Sequence, residues 1–251
     1  MSSVLTSQIE NVFVVTINRP KVRNAIDGPT AQALYDAFHH FDLNEDLYVA
    51  VLTGAEDIFC AGADLKSLAV SSGKAPNLTI DGNAPLGVSR MKLNKPVIAA
   101  VEGHAVAGGL ELALWCDMRV AAEDAVFGVF CRRFGVPLVD GGTIRLPRLV
   151  GHGRAMDMIL TGRGVKSDEA LRIGLVNRVV TKGKAFTNAL ELARSLCQFP
   201  QKCMRSDRLS AYEQWDLELN QALSNESKRG LAVIKSGETK EGAIRFTKGQ
   251  F

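Results

Sequence analysis

Two short segments of the sequence can place backbone N–H groups against an oxygen atom that gains negative charge during a reaction. The first covers residues 59–68 (FCAGADLKSL), where small residues precede a predicted short helix. The second covers residues 101–117 (VEGHAVAGGLELALWCD), where Gly108 and Gly109 open a predicted apolar helix. The first N–H groups of a helix have no acceptor within the helix and favour anions. Both segments are therefore candidates for binding a negatively charged oxygen.

Glu111 lies in the first turn of the second predicted helix and is the candidate general acid or base. Its apolar surroundings would raise the pKa of its carboxyl group, whereas the helix dipole would lower it. The net direction is open from the sequence. Each segment alone also fits a structural interpretation, in which small residues merely permit close packing.

Strands and helices alternate around these segments. β-branched and apolar runs predict strands at residues 12–17, 49–53, 97–101 and 119–121. Apolar spacing of three and four residues predicts a helix through Leu34 and Phe41, with Asp27 as its N-cap, and helices at residues 86–93 and after Gly109. This alternation favours an α/β fold with right-handed crossovers.

The pattern becomes helical after about residue 150. Helices are predicted at residues 154–160, 168–173, 185–196 and 214–236. We therefore expect an α/β core over residues 1–190 and a helical C-terminal oligomerisation region over residues 191–251. Residues 69–84, rich in Gly, Ser, Pro and Asn, predict a long loop of the kind that often covers or binds a substrate.

Composition excludes several classes of protein. The charge balance, 30 basic against 27 acidic residues, argues against a nucleic-acid binder. Five scattered cysteines without CxxC spacing predict reduced thiols and no metal site. No run approaches the roughly 20 apolar residues of a membrane span, and residues 1–12 lack a signal or transit peptide pattern. We expect a cytoplasmic protein, although a mitochondrial matrix protein stripped of its transit peptide would look the same.

A series of short motifs runs nearly from end to end of the chain. They are NRPKVRNAID at residues 18–27, FCAGADLKSL at 59–68, HAVAGGLELALWCD at 104–117 and GGTIRLPRLVG at 141–151, followed by LTGR, GLVNRVV and EGAIRF. Together they resemble the motifs of the crotonase (enoyl-CoA hydratase/isomerase) superfamily. They are specific to the superfamily but not to one reaction within it.

The resemblance implies an α/β fold, a crotonase-like spiral of repeated ββα units with a helical C-terminal trimerisation region. It implies that the N–H groups of Ala63 and Gly108 form the oxyanion hole for an acyl-CoA thioester. It further implies contacts with coenzyme A at Lys21, Arg23, Ala61, Ala63, Asp64, Leu65, Lys66 and Phe246, the last often serving an adjacent subunit. Expected partners are an acyl-CoA substrate and further copies of the chain, as a homotrimer or a dimer of trimers, with no nucleic acid, membrane, metal or separate cofactor.

The second catalytic acid departs from the family pattern. Relatives that add water to enoyl-CoA use two glutamates, and Glu111 matches the first. Ungapped alignment puts Cys131 at the place of the second, so we expect Asp140 to replace it. Asp140 also fits the role of an N-cap for the helix that follows. Cys131 and His104 are expected to line the acyl pocket.

The resemblance implies an enzyme that acts through a stabilised enolate, most simply a hydro-lyase that adds or removes water at C2 and C3. Double-bond isomerisation with Glu111 alone is the nearest alternative. Decarboxylation or hydrolysis of an acyl-CoA, and non-catalytic binding of an acyl-CoA, are the others, because the same fold serves many reactions.

Overall fold

The computed structural model describes residues 2–69 and 75–249 of the 251-residue chain. The strands are β1 (Val4–Ile9), β2 (Val12–Ile17), β3 (Val49–Gly54), β4 (Val97–Val101), β5 (His104–Val106), β6 (Met118–Ala122), β7 (Val126–Gly128), β8 (Gly164–Lys166) and β9 (Arg178–Val180). The helices are α1 (Gly28–Leu43), α2 (Leu65–Ala69), α3 (Gly108–Trp115), α4 (Gly142–Val150), α5 (His152–Thr161), α6 (Ser167–Arg172), α7 (Ala185–Cys197), α8 (Gln201–Glu213), α9 (Leu219–Lys235) and α10 (Glu238–Thr247). Short 3₁₀ helices span Pro20–Val22, Phe130–Phe134 and Gln214–Asp216.

Two sheets carry the fold. The larger has the strand order β1-β2-β3-β4-β6-β9, with β1 antiparallel to β2 and the other neighbours parallel. The smaller has the order β5-β7-β8, with β5 and β7 parallel. Parallel strands buried on both faces are nearly continuous runs of apolar residues, as β3 and β4 are.

Each face of the larger sheet is covered by apolar side chains from helices. On one face, Leu34, Phe38 and Phe41 of α1 join a core that extends to α3 and the smaller sheet. On the other, Ala189 and Leu192 of α7 pack on β-branched residues of the central strands. Packing from both faces thus holds the sheet, and the turns that follow its strands lie at its edge.

A repeated unit builds the spiral and places the two segments of interest side by side. β4 lies in the larger sheet, β5 in the smaller sheet, and α3 follows. The preceding unit has β3, a single bridge from Cys60 to Ala105 of β5, and then α2. Because Cys60 pairs with Ala105 in parallel, the turns that open α2 and α3 are neighbours in space.

Most of the predicted elements are confirmed. Strands at residues 12–17 and 97–101 have the predicted bounds, and Asp27 caps α1 through a 3.0 Å hydrogen bond from the Thr30 N–H. The prediction of a helix at residues 86–93 is wrong, because Gly87 has a φ of 85° and its backbone lies against Ala31 of α1. The helix predicted at residues 214–236 is interrupted before α9, where Glu218 and Gln221 form a capping box.

Two further expectations concern the domain division and the long loop. Residue 190, the expected end of the α/β core, lies inside α7, and the division into a core and a C-terminal oligomerisation region stays a prediction. Of the predicted loop 69–84, Ala69 ends α2, residues 70–74 lie outside the described residues, and residues 75–83 form bends and irregular structure. Among the helices of the described residues, none is long and apolar enough to cross a membrane.

Candidate active site

The turns before α2 and α3 bring two backbone segments into contact. A Cβ atom added to Gly62 would lie 2.6 Å from the Gly108 nitrogen, and one added to Gly108 would lie 3.5 Å from the Ala63 nitrogen. Only glycine allows so close an approach. Within the described residues, neither the Ala63 nor the Gly108 N–H donates to a protein acceptor. The two N–H groups are therefore available to an acceptor from outside the protein, and their role as an oxyanion hole stays a prediction.

The conformation of Ala107 sets the direction of the chain into α3. Its φ of 54° and ψ of −125° are unfavourable for a residue with a side chain, and such conformations cost about 1–3 kcal/mol. The Ala107 N–H donates to the Gly128 carbonyl of β7 at 2.8 Å, which holds the turn in place. The strain is thus located at the residue directly before the Gly108 donor.

Arg19 and Asn24 brace the turn that carries Ala63. The Arg19 guanidinium forms ion pairs of 3.0 Å with the carboxylates of both Asp27 and Asp64. The buried Asn24 side chain accepts from the Arg19 N–H and donates to the carbonyls of Ala55 and Ile58. These contacts tie the loop after β2 to the turn after β3, and they give the motif at residues 18–27 a structural role.

Glu111 is buried in the first turn of α3, where only 3% of its surface is exposed. One carboxylate oxygen, Oε1, accepts from the N–H groups of Asp140 and Gly142 at 2.9 and 2.8 Å. Burial raises the pKa of Glu111 to about 7, and the nearby charge of Asp140 acts in the same direction, while the two N–H donors oppose it. The net direction of the pKa shift, which the sequence left open, is therefore upward.

Asp140 is 4% exposed and lies directly beside Glu111. Its Oδ1 accepts from the Leu86 N–H at 3.1 Å and from the Ser89 hydroxyl. The N-cap interpretation of Asp140 is wrong, because the residue at the cap of α4 is Gly141 and the Asp140 side chain bonds to residues 86 and 89 instead. Burial raises the pKa of Asp140, and the Ser89 hydroxyl opposes the rise.

The two carboxylates share an arrangement in which one oxygen is fixed and the other is not. Within residues 2–69 and 75–249, the second oxygens of Glu111 and Asp140 have no protein hydrogen-bond partner, and both keep contact with solvent. Two such acids next to each other can hold a water molecule and exchange protons with it.

Cys131 and His104 differ in their surroundings. Cys131 is buried in the 3₁₀ helix Phe130–Phe134, and both burial and the charge of Glu111 raise the pKa of its thiol. His104 begins β5, where its side chain is exposed, and among the described residues its ring has no hydrogen-bond partner. That either residue lines the acyl pocket stays a prediction.

The sequence is similar to those of known enoyl-CoA hydratases. The family model described as enoyl-CoA hydratase/isomerase matches residues 7–250. The chain belongs to this family. An enoyl-CoA hydratase of Mycobacterium tuberculosis, EchA19, is 35% identical over 244 residues, which cover 94% of this chain and 90% of that protein. A carnitinyl-CoA dehydratase of Salmonella arizonae is 42% identical over 189 residues, 74% of this chain and 71% of the relative.

Solved structures of the family share the fold. The crystal structure of the enoyl-CoA hydratase EchA1 from Mycobacterium marinum has a TM-score of 0.93 and 35% identity, and the match covers 99% of this chain and 96% of that chain. A probable enoyl-CoA hydratase/isomerase from Mycobacterium abscessus has a TM-score of 0.90 at 36% identity, covering 100% and 97%. The crotonase fold expected from the motifs is confirmed, and the protein is an enzyme of this family.

The residues expected to contact coenzyme A lie on two adjoining segments and on a third, separate one. The Ala61 N–H donates to the Arg23 carbonyl at 3.0 Å, so the loop with Lys21 and Arg23 adjoins the turn that leads to Lys66. Lys21, Arg23, Leu65 and Lys66 are exposed, whereas the Asp64 carboxylate faces Arg19. Phe246 is exposed on α10, which packs on α8 and α9. All these contacts stay predictions.

Sequence reasoning missed three residues of the site: Leu86, Ser89 and Arg145. Leu86 and Ser89 lie in the segment predicted to be helical, where their N–H and hydroxyl groups had no expected partner. Arg145 donates to the carbonyls of Asp140 and Ser89 at 2.9 and 2.6 Å. No pattern in the sequence indicates that residues 86–89 and 140 meet, since 51 residues separate Ser89 from Asp140.

Proposed function

We propose that this chain catalyses the reversible addition of water to a 2-enoyl-CoA thioester. The proposal rests on one observation above all: two buried acids, Glu111 and Asp140, lie next to each other, and each has one oxygen held by the protein and one that reaches solvent. The N–H groups of Ala63 and Gly108, which lack protein acceptors among the described residues, complete the proposed site.

The pKa values suggest how the two acids divide the work. A carboxyl group with a raised pKa commonly serves as the general acid, and a carboxylate held in its ionised form by hydrogen bonds commonly serves as the base. The pKa of Glu111 is about 7, so this group is partly protonated at neutral pH and suits the proton donor. Burial also raises the pKa of Asp140, but the Ser89 hydroxyl and the Leu86 N–H donate to its carboxylate and favour the ionised form, which suits the base.

In the proposed reaction, the free oxygen of Asp140 takes a proton from water as the water oxygen bonds to C3. The electrons of the C2–C3 double bond move toward the thioester, and its oxygen gains negative charge beside the Ala63 and Gly108 N–H groups. Glu111 then donates its proton to C2. Transfer of one proton from Asp140 to Glu111 restores the starting state.

Cys131 favours a second candidate function, double-bond isomerisation. A thiol stands where the family pattern has its second glutamate, and a single carboxylate, Glu111, can move a proton between C2 and C4 of an enoyl-CoA. The two reactions differ in their need for Asp140, since isomerisation requires no activated water.

The test is an assay with both substrates. A short-chain trans-2-enoyl-CoA is mixed with the protein, and loss of the absorbance of the conjugated thioester is followed; a 3-enoyl-CoA is used in parallel. Hydration predicts loss of that absorbance in the first assay. Rise of the absorbance in the second assay alone supports isomerisation. Binding of CoA esters without either reaction would overturn both proposals.

Two variants assign the acids. Glu111→Gln keeps an oxygen that can accept from the Asp140 and Gly142 N–H groups, yet it is expected to lower turnover by roughly 10²- to 10⁴-fold, the usual contribution of a general acid or base. Asp140→Asn is expected to lower the turnover of hydration by a similar factor. Full activity of Asp140→Asn would remove Asp140 from the mechanism.

We also propose that Lys21, Arg23 and Lys66 bind the phosphates of coenzyme A, and that the chain assembles as a trimer or a dimer of trimers. The three side chains are exposed on adjoining segments, which supports the first proposal. Apolar side chains exposed on α9 and α10 support the second.

A further inference from the structure

A segment distant in sequence holds Asp140 from one side. Residues 84–89 are buried, and they contribute two donors to Asp140 Oδ1: the Leu86 N–H at 3.1 Å and the Ser89 hydroxyl. Ser89 is a buried polar residue, with only 2% of its surface exposed. Most buried side-chain hydroxyl groups form hydrogen bonds with the backbone or with water, whereas the Ser89 hydroxyl donates to a carboxylate of the proposed site.

Arg145 joins the same two segments through their main chains. Its guanidinium donates to the Asp140 carbonyl at 2.9 Å and to the Ser89 carbonyl at 2.6 Å. Ser89 and Asp140 are thus linked twice: their side chains form a hydrogen bond, and the Arg145 guanidinium binds the carbonyl groups of both residues. A shift of either segment would break both links.

We infer that Ser89 is a positioning residue for the second acid: its hydroxyl fixes Oδ1 of Asp140, so that Oδ2 is left to take the proton of the attacking water. The inference rests on the proposed function and adds to it a residue outside the family motifs noted in the sequence. Ser89 itself touches neither the water nor the acyl group in this scheme. Its effect reaches the reaction through the orientation and protonation of Asp140.

The sign of the expected effect follows from the hydrogen bond. A donor to the carboxylate stabilises the ionised form and lowers the pKa. Loss of the Ser89 hydroxyl should therefore raise the pKa of Asp140. The other charged groups facing Asp140 are Glu111 from α3, Arg145 from α4 and Arg90 beside Ser89, and all of them are unchanged in the variant.

The first experiment compares pH profiles of kcat/KM for 2-enoyl-CoA hydration. Ser89→Ala is expected to move the acid limb to higher pH by about one unit, with KM altered less than about twofold. Ser89→Thr, which keeps a hydroxyl, should restore the limb. Ser167→Ala is the matched control, because Ser167 is also buried but donates to the carbonyls of Ala122 and Ala125, away from the site. The control should lower Tm and leave the profile unchanged.

The second experiment needs no turnover. The pKa of Asp140 is read from a ¹³C NMR titration of protein labelled at the aspartate carboxyl carbon, with Asp140→Asn identifying its resonance. A higher midpoint in Ser89→Ala than in the wild type is expected. Equal midpoints, or a pH profile that matches that of Ser167→Ala, would overturn the inference. If the wild type hydrates no enoyl-CoA, the proposed function fails, and the titration still decides the role of Ser89.

Discussion

The Glu111 carboxyl links the chemistry of the site to the stability of the fold. Its pKa rises from the ordinary 4.5 to about 7, so the folded protein holds this proton more tightly than the unfolded chain does. Stability therefore falls as the pH rises from about 4.5 to about 7, and the penalty is complete above that window. A shift of this size corresponds to at most about 3 kcal/mol.

Glu111→Gln should therefore make the protein more stable while making it less active. We expect a higher Tm than that of the wild type at pH 8 and little difference at pH 5, where the wild-type carboxyl is protonated as well. Thermal unfolding of both proteins at the two pH values provides the measurement. A gain in Tm of the same size at both pH values would show that burial of the charge is not its source.

The Cys131 thiol is expected to contribute packing and no chemistry. Burial and the charge of Glu111 both raise its pKa, so the nucleophilic thiolate is scarce at neutral pH. Cys131→Ala should keep kcat within about threefold of the wild type, because only a buried sulfur is lost. Steady-state hydration assays give the answer, and a loss of a hundredfold or more would assign the thiol a direct role in the reaction.

At the scale of elements, the two helix starts depend on glycine. Gly62 has a φ of 91°, and an added Cβ would press on the Gly108 nitrogen at 2.6 Å. Gly62→Ala should displace that donor and lower kcat by about 10²- to 10³-fold, the usual cost of losing one oxyanion donor. The measurement is kcat for enoyl-CoA hydration together with Tm.

Gly183→Ala is the control for this variant. Gly183 also has a positive φ, 76°, but an added Cβ meets nothing within 4 Å among the described residues. It should lower stability by about 1 kcal/mol through backbone strain and leave kcat unchanged. If the two variants lose the same activity, contact with Gly108 is not the cause.

The sequence predicts an element well where the residues that define it are neighbours in the chain. β2 and β4 are continuous apolar runs, and Asp27 precedes α1 at the spacing of an N-cap, so each could be predicted from neighbouring residues. The segment around Leu86 has helical spacing but is bent by Gly87 and bonded to Asp140. Its partners lie more than 50 residues away, and local patterns carry no information about them.

The same distinction holds for the site residues. Glu111 and the Gly108 donor could be located because strand, turn and helix follow one another directly in the chain. Asp140 could be predicted only because Cys131 stands at the place of the family's second glutamate, and its alternative role as a cap could be rejected only from three-dimensional contacts. Arg19 and Asn24 belong to a recognised motif, yet their bracing of the Ala63 turn depends on contacts between two loops.

At the scale of the whole molecule, Asp117 links the C-terminal helices to the larger sheet through hydrogen bonds. One of its oxygens accepts from Arg208 Nε at 2.7 Å and from the Tyr212 hydroxyl at 2.8 Å, both on α8. The other accepts from the Val97 N–H at the start of β4. Since α9 and α10 pack on α8, this residue connects the helical region to the strand that leads into the proposed site.

An exposed apolar face of α9 supports the proposal of an oligomer. Leu219, Leu223 and Ile234 are 73%, 52% and 58% exposed, and at about 100° per residue they lie within about 60° of one another around the helix. Exposed apolar side chains that share one face of a helix support an interface there. Because the helical region is fixed to the sheet through Asp117, partners bound to α9 would be held at a constant position relative to each site.

Charges placed on this face should therefore dissociate the assembly. We expect the wild type to have three or six times the chain mass of 27.1 kDa by light scattering, and Leu223→Glu with Ile234→Glu to approach the mass of one chain. Burying a carboxylate in an apolar interface costs several kcal/mol, so two of them on one face should weaken every contact between subunits. Leu43→Glu, at a 69% exposed position at the end of α1, is the control and should keep the wild-type mass. A double variant with unchanged mass would place the interface elsewhere, and a wild type that is a monomer at micromolar concentration would contradict the oligomer itself.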